Sequence, residues 1–111
     1  MDRENLVHDL IVEHMRQKLS KDYSSITLNP EGSPDLSLHN HGLTMALVEV
    51  ETESSITRQK ADIWKDLASS GSKLIIMVPR SSKVRATELL WDKGIMDKVS
   101  VGSYEIVINM P

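Results

Sequence analysis

The chain has 111 residues, 40% hydrophobic and 26% charged, which suits one domain over residues 1–111 burying roughly two-thirds of its unfolded surface. A net charge of −3 argues against a protein that coats nucleic acid non-specifically, while a local basic patch stays open. With no cysteine, disulfides and thiolate metal sites are excluded, so any metal falls to Asp, Glu and His, a donor set that suits Mg or Mn. The N-terminal MDRENLVHD is charged, and the longest apolar run, Leu74 to Val78, is too short for a signal sequence or a membrane span. A cytoplasmic protein with no membrane partner is the expectation.

Asp2 to about Leu19 reads as a helix, with Asp2 as a candidate N-cap. Asn5, Asp9, Glu13 and Arg16 form one polar strip, while Leu6, Val7, Leu10, Ile11, Val12, Met15 and Leu19 cover most of the rest. So broad an apolar arc predicts burial on more than one side, against sheet and a second helix or against a second subunit. Glu4, His8 and His14 lie inside this arc. A first-turn glutamate is ordinarily a helix-dipole partner, and a histidine on an apolar face is ordinarily a core or interface residue, so Glu4 and His8 rank as secondary site candidates.

Tyr23 to Leu28 alternates as a half-exposed strand and ends at the turn-rich Asn29 to Pro34. Asp35 to Leu38 reads as a second strand. His39-Asn40-His41-Gly42 then makes a tight hairpin, for which a polar loop explains the two histidines better than a metal does. The third strand, Met45 to Glu51, places Ala46, Val48 and Val50 on one face and Met45, Leu47, Glu49 and Glu51 on the other. Burying two like charges side by side costs several kcal/mol each, on the order of the ion-desolvation penalty. A cation is expected beside them.

Ser54 or Ser55 is the expected cap of a second helix through about Ser69, ended by Gly71. Its inward stripe holds Ile56, Ile63 and Leu67, with Lys60 in the middle and Gln59 at the border. Lys60 either snorkels to solvent or extends to the carboxylates. Lys73 to Val78 predicts a strand buried on both faces, Ser81 or Ser82 starts a third helix to Lys93, and residues 99–101 and 104–108 read as one interrupted edge strand or two short ones. The order is helix, three-strand meander, helix, strand, helix, strand.

This αβββαβ order, with Pro34-Asp35 entering the second strand and Glu49-Val50-Glu51 on the third after thirteen intervening residues, resembles the PD-(D/E)XK, or restriction-endonuclease-like, nuclease superfamily. The likeness covers about residues 2–80, and the compact size is similar to that of small archaeal Holliday-junction resolvases. PDLSL, VEVETESSIT, Trp64-Lys65 and IIMVP also resemble a group of small prokaryotic proteins of this fold that bring no established activity. The implied fold is an α/β core, a central mixed sheet flanked by helices.

The implied activity is metal-dependent hydrolysis of phosphodiester bonds in DNA. Asp35, Glu49 and the Val50 carbonyl would hold Mg or Mn, and Glu51 would position the attacking water or reach a second metal. Lys60 would offset charge at the scissile phosphate, and Glu4, or failing that His8, would polarise an outer-shell water. The chain departs from the commonest pattern by carrying Glu51 where the superfamily usually has lysine. Two readings follow: a Glu-x-Glu enzyme with its lysine moved to Lys60, or an inactive domain acting as an interaction or regulatory module. A homodimer through the first helix or the edge near Tyr104 is also expected.

Overall fold

The computed structural model describes residues 3–107. In chain order the elements are α1 (Arg3–Leu19), β1 (Ser25–Leu28), β2 (Leu36–Asn40), β3 (Leu43–Val50), α2 (Arg58–Ala68), β4 (Lys73–Pro79), α3 (Lys83–Asp92) and β5 (Val99–Tyr104), with short 3-10 turns before α2, α3 and β5. The fold is α/β. One five-stranded mixed sheet has the order β1-β2-β3-β4-β5, in which β1, β2 and β3 are an antiparallel meander and β3, β4 and β5 run parallel. Asp2, the expected helix cap, and Ile108, expected in the last strand, lie outside the described residues.

The β2–β3 turn is made by His41 at φ 52° and Gly42 at φ 83°, the pair of positive values that a two-residue hairpin needs to follow the twist of its strands. Upstream of it, the His39 ring meets the hydroxyls of Thr27 at 3.0 Å and Thr44 at 3.2 Å, a polar pairing across neighbouring strands. Two parallel crossovers advancing in one direction put their helices on one face of a sheet. Here Ala61 and Trp64 of α2 and Ala86, Leu89 and Leu90 of α3 share a core with Leu74, Ile76 and Val78.

The other face belongs to α1. Leu36, Leu38, Ala46, Val48 and Val50 are buried there with Ile11, while Val7, Val12, Met15 and Leu19 pack at the margin. Among the described residues the broad apolar arc of α1 is therefore covered on one side only, and Leu6 and Leu10 remain 53% and 58% exposed. Because α1 packs chiefly over β2 and β3, β4 is not sealed on both faces as its composition suggests. Leu74, Ile76 and Val78 are buried, but Ile75 and Met77 on the α1 side are half-buried.

Three boundaries move for physical reasons. The second helix begins at Arg58, later than Ser54 or Ser55, because Thr57 is its cap: the Thr57 hydroxyl accepts from the Lys60 N–H at 3.1 Å. Ser55 is occupied elsewhere, donating to Glu51. With Ile56 outside the helix, the inward stripe rotates toward Ala61 and Trp64, and Ile63 is exposed. The last strand is single and ends at Tyr104, so residues 105–107 continue outside the sheet. The second strand starts at Leu36 rather than Asp35, for a reason that belongs to the site.

Candidate active site

Extending the β2–β3 register of Leu36 opposite Val48 would set Asp35 opposite Glu49. The ladder instead closes through side chains. The Asp35 carboxylate accepts from the Val50 N–H at 2.7 Å, and the Glu49 carboxylate accepts from the Asp35 N–H at 3.0 Å. Each acid thus grips the other residue's strand, and a charged acceptor strengthens both bonds relative to an ordinary ladder pair. The Asp35 carbonyl takes the Asn29 N–H at 3.0 Å, tying the turn-rich 29–34 segment to this end of the sheet.

Lys60 supplies the cation that the acidic strand requires. Its ammonium lies 3.3 Å from a carboxylate oxygen of Glu49 and 3.3 Å from one of Glu51, with the two glutamates 0% and 1% exposed. Thr57, capping α2 at the Lys60 N–H, fixes where the lysine stem departs, and the rotated stripe leaves its tip at the helix border. Burial pushes the Glu49 carboxyl up to about 7, with Asp35 adding to the rise and Lys60 opposing it. Burial also raises Glu51, against the pull of Trp64 and Lys60. Burial is the largest single effect on Lys60 and lowers it, but the two carboxylates together outweigh burial and hold it above its ordinary value.

The sequence reading missed the neutral donors. Trp64 Nε1 donates to Glu51 at 2.6 Å, the Ser55 hydroxyl donates to the other Glu51 oxygen at 2.9 Å, and the Ser33 hydroxyl donates to Glu49 at 3.1 Å. The Tyr104 hydroxyl reaches across the sheet to the Glu51 carbonyl at 2.7 Å. A buried tryptophan must find an acceptor for its N–H, and Trp64, one turn after Lys60, carries that signal in the sequence. Ser33, held in a turn, carries none.

The two secondary candidates separate. His8 Nε2 meets Asp35 at 3.0 Å, and this hydrogen bond, assisted by Asp9, raises the imidazole to about 9 against some opposition from burial. Glu4 accepts from the Ser54 N–H at 3.1 Å, and its hydrogen bonds to Ser54 and Thr52 lower its carboxyl. It braces the 3-10 turn that follows Glu51. Asp35 and His8 also line a cleft of about 280 Å³ with Asn29 and Pro30. Arg58, at the start of α2, pairs with Asp92 at 3.7 Å.

The donor chemistry fits a divalent cation. The oxygens of Asp35, Glu49 and Glu51 are hard ligands, and a cation would relieve the burial and repulsion that push Glu49 up. Among the described residues no three His, Asp or Glu side chains form a ready metal cage; Mg commonly uses one or two carboxylates with water and substrate phosphate completing its shell. No helix among the described residues is long and apolar enough to cross a membrane. Neither a family model, nor a curated protein, nor a solved structure matches the chain.

Proposed function

We propose that this chain is a metal-dependent nuclease of the restriction-endonuclease-like kind, hydrolysing phosphodiester bonds in DNA with Mg or Mn. The observation that carries the reading is the meeting of Asp35 from the head of β2, Glu49 and Glu51 from the end of β3, and Lys60 from α2 at one end of the sheet. Phosphodiester hydrolysis requires charge neutralisation on the phosphate, an oriented water and a route for the leaving oxygen.

Asp35 and Glu49 would hold the ion, which when bound supplies Lewis acidity and lowers the pKa of water. The Val50 N–H, donated to Asp35, fixes one carboxylate, and the Asp35 N–H fixes the other. Lys60 faces both glutamates with a positive charge that a phosphate oxygen would share. Glu51, oriented by Trp64 and Ser55, takes the place of the usual triplet lysine and accepts from the attacking water. His8 orients Asp35 from α1. The test is cleavage of single-stranded, duplex and branched DNA with Mg or Mn, comparing the natural chain with Lys60→Met. Loss of cleavage by orders of magnitude in the variant supports the assignment, and no cleavage of any substrate by the natural chain defeats it.

A second reading rests on a separate observation. All six carboxylate oxygens of Asp35, Glu49 and Glu51 have a protein donor or cation within 3.3 Å. A cluster whose oxygens all have partners folds without needing a metal to satisfy them, as an inactive nuclease-fold domain serving as an interaction or regulatory module would. In that case neither Mg nor Mn raises the melting temperature, and Lys60→Met destabilises the fold by stranding two buried carboxylates.

A further inference from the structure

Among the described residues, the outward face of α1 carries an apolar pair left more than half exposed. Leu6 and Leu10 stand 53% and 58% exposed on adjacent turns of one helix side. With Leu10 at 0° and about 100° per residue, Leu6 falls near −40°, Arg3 near +20° and Glu13 near −60°. All four are exposed and lie off the Ile11, Val12 and Met15 side of α1, with Arg3, Leu10 and Glu13 also at the rims of clefts beside the helix. The patch continues into a groove of about 490 Å³ between α1 and the end of β5, lined by Leu10, Ile106 and Val107 among others. Ile106 and Val107 are themselves exposed at 46% and 66%.

We propose that this face binds a second copy of the chain, α1 packing antiparallel on its partner about a two-fold axis between Leu6 and Leu10. The argument is self-complementarity. A two-fold at that point pairs positions whose numbers sum to sixteen, so Leu6 lies on the partner's Leu10 and Leu10 on the partner's Leu6. The same operation sets Arg3 beside the partner's Glu13 and Glu13 beside the partner's Arg3. An isologous contact repeats each favourable pair twice, and here both the apolar and the charged pairs close on themselves. Glu13 already accepts from Arg16 and from Gln17, and a carboxylate has lone pairs left for a further donor.

An α1 of 17 residues is about 25 Å long, and a contact of that length buries less than the roughly 800 Å² per partner of a standard interface. The dimer is therefore reversible, with a dissociation constant of about micromolar order or above. It does not depend on the nuclease reading, since none of the four residues belongs to the acidic cluster.

The test is sedimentation equilibrium of the full chain up to about 500 μM, a range set by that weak affinity. The expected result is a concentration-dependent monomer–dimer equilibrium in the natural chain. Leu10→Glu, at an exposed position that folding tolerates, should raise the dissociation constant at least about tenfold. Arg3→Glu should raise it several-fold, and adding Glu13→Arg to that variant should bring it back toward the natural value, because the swapped charges meet across the two-fold. A natural chain that is monomeric throughout the range overturns the proposal, as does a dimer indifferent to Leu10→Glu. A dimer weakened by Arg3→Glu but not recovered in the double variant overturns the antiparallel register.

Discussion

Glu49→Gln asks whether the acidic strand is a stabilising ion cluster or a site held at a cost. A glutamate whose carboxyl sits at about 7 in the folded chain and 4.5 when unfolded lowers stability by about 3 kcal/mol above pH 8. The sign follows from the protonated form being favoured by the fold. The penalty is absent below pH 4.5 and reaches its full size as pH rises through 7. Glutamine keeps the shape, its carbonyl accepting from the Asp35 N–H and its amide facing the Ser33 hydroxyl. It sets an amide donor against Lys60, which keeps Glu51 at 3.3 Å; that mismatch returns about 1 to 2 kcal/mol. The net expectation is a variant more stable than the natural chain by about 1 to 2 kcal/mol at pH 8 and near-equal at pH 5. Urea unfolding at the two pH values, with unchanged m-value, reads it directly. In the same series millimolar Mg should raise the melting temperature of the natural chain and not of the variant, since a ligand at a hundredfold excess over Kd adds about 2.7 kcal/mol. A variant less stable than the natural chain by 1 kcal/mol or more at pH 8, or one that keeps the metal effect, would refute this account of the cluster.

Trp64→Phe removes the donor from a fully buried Glu51 oxygen and should cost about 1.5 to 3 kcal/mol in chemical denaturation; a loss under 0.5 kcal/mol would mean the bond is incidental. Thr57→Ala deletes the cap that seats Lys60 and should cost about 1 kcal/mol, with any cleavage activity falling more than stability does. His8, raised to about 9 by Asp35, stabilises fully below pH 6.5, and its contribution is lost as pH rises through 9. His8→Gln should therefore flatten the pH dependence of the melting temperature between those limits, and an unchanged profile would show that the Asp35 contact is not maintained in solution.

The alternation of Leu47-Val48-Glu49-Val50-Glu51 was enough to put both glutamates on one face and to demand a cation, because strand periodicity is local. The element order was legible for the same reason: turn residues and apolar runs punctuate the chain at short range. What the sequence did not disclose is non-local. The side-chain-to-backbone exchange between Asp35 and Val50, and between Glu49 and Asp35, replaces a ladder pair and shortens β2 in a way no propensity records. Lys60 was placed on a stripe anchored by Ile56, and Ile56 turned out to precede the helix. The lysine nonetheless sits beside the glutamates, from the border of a rotated stripe. Leu6 and Leu10 were expected to be buried along with the rest of the arc, and only the narrow seating of α1 showed them exposed.

That narrow seating bears on when the site exists. Ile11 is the single buried residue in α1, whereas β3, β4, α2 and α3 share a continuous core. Local opening begins where the fewest apolar groups are buried, so β1, which buries no residue, and α1, which buries one, are the elements most readily released from an otherwise intact chain. Release of α1 takes His8 from Asp35 and Glu4 from the Ser54 turn while leaving Glu49, Glu51, Lys60 and Trp64 in register. Amide exchange should find α1 opening well before β3 and β4. The carboxylates then have two states, a braced one with α1 docked and an unbraced one in which the Asp35 oxygen held by His8 opens to solvent while the other keeps the Val50 N–H, and whatever steadies α1 from outside sets the balance between them.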